Sequence, residues 1–266
     1  MSPDLLAVLC DPVTHDPLEV TTAPDRRGHP QKALRNPRTG ASFAIRNGIP
    51  IFLDQAQVSG LNQRSQRWYD FWAPFYDFNG WLYARWKGWD VEGLTREYLS
   101  DLEVKDGDRV LEVAVGTGRH LRFLPRTAHF FGLDISWGML RRCQRNVAKW
   151  GREAALFLGA AERLPFRDQS FDAVLDLGAI NFINDRAAAI HEMIRVAKPG
   201  ARFAFADARE EFVKRYEWLP GAGYLLGDFM VPMNPPVDLL PPGMQEVRVK
   251  DILGGMAYCL VFRKPR

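Results

Sequence analysis

Two carboxylates, Glu112 and Asp134, stand about 20 residues apart, and a glycine turn, Gly116-Thr117-Gly118, follows the first of them. Glycine accepts a positive φ and lets the backbone approach a ligand closely, while the free N–H groups of a helix that starts there attract electronegative atoms. A carboxylate at the tip of the next strand is placed to hold ribose hydroxyls. Together they describe a cradle for a nucleotide-sized ligand. The turn alone also fits an ordinary strand-to-helix connection with no ligand.

Such a cradle needs a parallel sheet beneath it. Val110, Leu111, Val113 and Val115 predict a buried strand ending at the glycines, with a helix following. Phe130–Asp134 predicts a second strand, and Phe171–Asp176 and Phe203–Asp207 predict two more. Helices are expected over 94–102, 136–149 and 185–196, the last stopped by Pro199 and Gly200. Glu246–Leu253 and Met256–Arg263 read as a hairpin turning on Gly254-Gly255.

In this order the motifs, with Gly159-Ala-Ala-Glu-Arg-Leu-Pro-Phe166 and Arg195-Val-Ala-Lys-Pro-Gly200, resemble class I S-adenosylmethionine-dependent methyltransferases akin to quinone C-methyltransferases, over residues 65–266. The resemblance implies an α/β fold: a doubly wound Rossmann-like sheet, mostly parallel, with a C-terminal antiparallel hairpin and a small mainly β module before it. It implies S-adenosylmethionine as cofactor. Glu112, Gly116, Thr117 and Gly118 would face its methionine and ribose, Asp134 its ribose hydroxyls, and Ile135, Met139, Ala161 and Glu162 its adenine. Ala114 stands where the family has the first glycine of the turn, and Ala160 where it has an acid.

Residues 1–55 resemble a small zinc-ribbon-like domain, with Asp11, Thr14, Asn36 and Thr39 at the four ligand positions. None is a thiolate, so no metal is expected. Cys10 is read as core, and His15 and His29 as surface residues. Gln55–Arg67 reads as a polar linker. The domain plan is therefore 1–55, a linker and aromatic arm over 56–90, and the methyltransferase domain over 91–266.

Between Trp68 and Trp89 eleven side chains are aromatic, in a helical stripe that Pro74 should break. One peripheral helix cannot bury them all, so the surplus predicts a lid or an interfacial surface. Tyr69 and Tyr76 are the arm residues expected to reach the cofactor.

The net charge is +3, well short of the concentrated basic face of a nucleic-acid binder. The basic side of the helix over 136–149, with Arg141, Arg142, Arg145 and Lys149, is read as a solvated face. The three cysteines form no pair pattern, and a cytoplasmic location is expected. No apolar run reaches the ~18 residues of a membrane span, although peripheral membrane contact is compatible with the aromatic arm. Methyl transfer requires a base only when the nucleophile carries a proton, and Asp176, Asn181, Asp207 and Tyr76 are the candidates. Asn234-Pro-Pro236 is read as a substrate loop. The expected activity is methylation of a small lipophilic or aromatic acceptor. The alternatives are an rRNA or tRNA base methyltransferase and a non-catalytic cofactor-binding partner protein.

Overall fold

The structure, a computed structural model, describes residues 3–24, 27–210 and 233–266. Seven strands form the main sheet: β5 (Arg109–Val113), β6 (His129–Asp134), β7 (Ala155–Leu158), β8 (Phe171–Leu177), β9 (Ala197–Ala208), β10 (Gln245–Ile252) and β11 (Ala257–Arg263). Their spatial order is β10-β11-β9-β8-β5-β6-β7. β5 to β9 run parallel, and β11 lies antiparallel to both β9 and β10. The chain leaves β5 toward β6 on one side and returns to β8 on the other. The crevice at that reversal, at the carboxyl ends of the strands, is where an open α/β sheet binds ligands.

Both faces of the sheet are covered, which is why its strands are apolar almost throughout. One face packs Leu111, Phe131, Phe157, Phe166 and Phe171 with α6 (Arg186–Val196). The other packs Val110, Phe130 and Leu175 with α4 (Val91–Ser100) and α5 (Trp137–Lys149). Ser136 Oγ accepts from the Met139 amide at 3.1 Å and caps α5, and Asp185 caps α6 in the same way.

The structure corrects three local expectations. After Gly118 the chain makes a 3-10 turn, Arg119–Phe123, and no α-helix. Pro125 is the reason: it holds Leu124 extended, at φ −83° and ψ 155°. The supposed linker is shorter than expected, because α2 begins at Gly60 and already buries Ser65 and Gln66. The C-terminal hairpin turns through Leu253–Met256, with Leu253 joining both glycines at positive φ, so its connection is longer than two residues.

The N-terminal residues form α1 (Pro3–Ala7) and a four-stranded antiparallel sheet of β1 (Glu19–Pro24), β2 (Pro30–Arg35), β3 (Ser42–Arg46) and β4 (Ile49–Pro50). Residues 25 and 26, between β1 and β2, lie outside the described residues. The four supposed ligand positions do converge, around an amide. Asn36 Nδ2 donates to Asp11 Oδ2 at 2.8 Å, to Thr14 Oγ1 at 3.0 Å and to Asp16 Oδ2 at 3.1 Å. Asp11 Oδ1 accepts from the Val13 and Thr14 amides, and Asn36 Oδ1 from those of Arg38 and Thr39. Hydrogen bonds thus organise both turns. Among the described residues no three His, Cys, Asp or Glu side chains stand together as a metal site. Cys10 is fully buried.

This small sheet is joined to the large one by isolated bridges. Ile51 bridges Leu158 in parallel, Phe52 N donates to Leu158 O at 2.8 Å, and Leu9 bridges Phe166. The edge strand β7, an open template for pairing, is covered by its own chain.

Candidate functional site

The cavity lies at the carboxyl ends of β5, β6 and β8, beneath two helices, α2 (Gly60–Trp72) and α3 (Tyr76–Lys87), which Pro74 separates. Ala114, Gly116, Asp134, Ile135, Met139, Ala161, Glu162, Tyr69 and Tyr76 all line it. Ala114 sits at φ 54°, in the left-handed region. There an L side chain costs ~1–2 kcal/mol, which explains why glycine is the expected residue. Gly116 is open: a Cβ on it would meet nothing nearer than Ala114 O at 4.0 Å.

Asp134 anchors the cradle. Its Oδ2 accepts from Gly116 N at 2.7 Å and its Oδ1 from Ser136 N at 2.8 Å, which leaves lone pairs on both oxygens for hydroxyl donors. Burial pushes its pKa up to about 6, against the lowering effect of those two hydrogen bonds.

Three expected residues do not line the cavity. A Cβ on Gly118 would stand 2.5 Å from Cys143 Sγ, so that glycine serves the packing of α5. Thr117 Oγ1 donates to Asp77 Oδ1 at 2.6 Å. Glu112 is buried behind the turn, its Oε1 2.5 Å from His120 Nδ1. Arg119 Nε donates to His120 Nε2, which leaves the imidazole proton on Nδ1, facing Glu112. Glu112 Oε2 has no hydrogen-bond partner among the described residues. His120 is thereby a positioning group for Glu112.

The arm is held down by carboxylates. Asp70 accepts from Ser136 Oγ at 2.6 Å and Gly138 N at 2.8 Å, at the N-terminus of α5 where a negative charge is favoured. Asp77 accepts from Thr117, Arg142 and Asn146. Gln66 donates to Ile135 O, and Asn62 joins Glu162 Oε1 at 2.9 Å to Asn184 N. Asn62 and Ser65 line the cavity too, as do Gly178, Ala179, Phe182 and Ile183. Sequence reasoning missed all six. The available signals were Ser59, of helix-capping type, and a glycine directly after the fourth parallel strand.

Behind the Leu177–Ala179 wall lie two acids. Asp176 Oδ1 accepts from the Ala179 and Ile180 amides at 3.0 Å, and its Oδ2 has no partner among the described residues. Asp207 accepts from the Asn181 and Ala208 amides, and Tyr258 donates to Asn181 Oδ1. Burial first, then the neighbouring Asp207, holds Asp176 well above the usual carboxylate range, and burial pushes Asp207 up to about 6. The Tyr69 phenol is raised by burial and by Tyr76, Asp207, Asp134 and Asp176. Asp176, Asn181 and Asp207 are thus one buried cluster adjoining the cavity, while Tyr76 lines it. Asn234 offers its carbonyl to Arg186 and does not line the cavity.

S-adenosylmethionine fits these residues: an open backbone turn, a buried acid with lone pairs left for hydroxyl donors and an apolar floor of Ile135, Met139 and Ala161. Residues 110–200 match the family described as methyltransferase domain. The chain is 37% identical over 106 residues to phthiotriol/phenolphthiotriol dimycocerosates methyltransferase 1 of Mycobacterium ulcerans, covering 39% of this chain and 38% of that one. It is 31% identical over 157 residues to the ubiquinone/menaquinone biosynthesis C-methyltransferase of Geobacter sulfurreducens, covering 54% and 58%. The chain thus spans roughly two fifths to three fifths of these curated relatives. Among solved structures, a chain from the complex between the Haloferax volcanii Trm112 methyltransferase activator and a methyltransferase aligns with TM-score 0.59 at 20% identity, over 74% of this chain and 98% of that one. That likeness shows the fold. Residues 110–200, from β5 into β9, thus belong to the methyltransferase-domain family, and the sheet that carries them, with an acid at its switch point, has the Rossmann-like fold of class I S-adenosylmethionine-dependent methyltransferases.

Proposed function

We propose that the protein transfers a methyl group from S-adenosylmethionine to a small lipophilic or aromatic acceptor. The observation that carries this reading is the cavity itself, an apolar space roofed by Tyr69 and Tyr76 that opens over Asp134 and Gly116. Two relatives named for lipid and quinone methylation support the acceptor class. When bound, the cofactor supplies a methyl group already activated by the sulfonium charge. Asp134 orients the ribose, and Gly116 leaves room for close backbone approach. The arm excludes water from the displacement, and its rings favour a cation through the negative faces of their π-systems. Where the acceptor carries a proton, the Asp176–Asp207 cluster behind the Leu177–Ala179 wall is the candidate sink. The N-terminal module, joined along the sheet edge, would act as a metal-free brace.

Titration calorimetry with Asp134→Ala tests the site. Loss of hydrogen bonds to a charged acceptor, worth ~1.5–3 kcal/mol, should weaken S-adenosylmethionine binding ~10-fold or more. Label from methyl-tritiated donor should pass to quinone or phenolic acceptors and not to RNA. Unchanged affinity in the variant would refute the site, and label on RNA alone would refute the acceptor class.

A further inference from the structure

The arm has a second face that methyl transfer leaves unused. Phe71, Phe75, Phe78, Trp81, Leu82 and Trp86 are 70%, 56%, 61%, 59%, 50% and 70% exposed. Four of these lie on α3 with i, i+3, i+4 and i+8 spacing, so they share one side of the helix. Phe71 and Phe75 extend the patch across the break, each packed edge-on against Trp72. Soluble chains rarely leave so many large rings together in water.

The patch is bordered by positive charge. Trp81 and Arg85 share a surface groove with Arg119, Arg122, Arg142 and Lys149. Its three carboxylates are already engaged: Asp77 by Arg142, Glu92 by Arg96 and Arg122, and Asp90 as the cap of α4. Arg85 and Lys149 have no ion-pair partner among the described residues. Lys87 Nζ lies 4.2 Å over the Trp86 ring.

We infer that the outer face of α2 and α3, with the cationic groove beside it, seats the protein on a lipid bilayer bearing anionic headgroups. Tryptophan and phenylalanine rings suit the boundary between acyl chains and headgroups, and flanking lysine and arginine suit the negative surface. Charge complementarity chooses this occupant over a second copy. A two-fold contact through the patch would bring a like cationic groove against each rim. Tyr76 lines both the groove and the cofactor cavity. Docking would therefore set the roof of the cavity against the phase from which a lipophilic acceptor is drawn. Only that last step rests on the methyl-transfer reading.

Flotation of the full chain with phosphatidylcholine vesicles, with and without phosphatidylglycerol, tests the docking. Wild type should float only with the anionic vesicles, shift its tryptophan emission to the blue, and detach as salt rises. A variant combining Trp81→Ser with Trp86→Ser should lose ~10-fold or more of that binding. The pair Arg85→Glu and Lys149→Glu should lose about fivefold or more per site, and keeps the test open if the first variant fails to fold. S-adenosylmethionine affinity should be unchanged in both, so failure of the docking and failure of the methyl-transfer reading are separable. Absence of flotation, equal flotation of the variants, RNA binding lost in the same variants without vesicle binding, or dimerisation abolished by them would each overturn the proposal.

Discussion

Asp176 shows how a single carboxyl ties stability to the site. The main chain of residues 179 and 180 holds one of its oxygens, and the other has no partner among the described residues. Its pKa is raised above the unfolded value of ~3.9, so the folded state binds the proton more tightly than the unfolded chain does. The stability this contributes is fully present below ~4 and is lost as pH rises through the folded value. Asp207 adds a loss of the same sign between ~4 and about 6. Asp176→Asn keeps an oxygen for both amides and removes the charge. Melting at pH 8 should therefore rise by ~2–4 °C for each kcal/mol recovered, with a flatter pH dependence. If the cluster receives the acceptor proton, turnover in the same variant should fall ~100-fold. A lower melting temperature with full turnover would make Asp176 a structural acceptor only.

At the scale of elements, the arm is the part whose position decides whether the cavity is closed. It buries few of its own rings, and its hold on the domain is polar: Asp70 on the start of α5, and Asp77 on Thr117, Arg142 and Asn146. A helix so attached opens at low cost compared with the core. Asp77→Ala should leave melting within a few degrees of wild type while speeding release of S-adenosylmethionine several-fold in stopped-flow measurements. Limited proteolysis should cut sooner within residues 73–88. Unchanged release would mean that the arm is held by its aromatic packing, through pairs such as Tyr69–Tyr76, whose ring centroids are 6.0 Å apart.

For the whole molecule, the N-terminal sheet and the main sheet share one core. Leu9, Leu34 and Phe52 pack in the same cluster as Phe157 and Phe166, so loosening the small sheet strips the edge of the large one. The Asn36 amide is the point of attack. Asn36→Ala leaves the 2% exposed Asp11 without its side-chain donor, which should cost ~1–3 kcal/mol and lower the melting temperature of the full chain. Chelators should leave wild-type melting unchanged, and elemental analysis should find no stoichiometric zinc. A chelator-sensitive wild type would show that a metal, and not the amide, holds the two turns.

The central strands, the acid at the tip of the second of them and the methyltransferase resemblance were legible because each rests on local pattern. An apolar run ending at glycines, and a carboxylate at the tip of the next strand, carry their meaning within a few residues. The break at Pro74 was legible for the same reason, since proline acts on its own helix. What needed the fold was the assignment of neighbours across long separations. Glu112 and Thr117 look like cofactor contacts in the sequence, yet His120 and Asp77 claim their side chains. Asn62 looks like linker until Glu162, a hundred residues on, meets it. The four supposed knuckle positions do meet, yet no spacing rule reveals that an amide joins the two turns. Aromatic excess announces a surface or a lid, but only packing separates Tyr69 and Tyr76 over the cavity from Phe78, Trp81 and Trp86 in solvent. Periodicity reports which side of a helix is apolar, whereas the partner of that side is set by long-range packing, which no local pattern records.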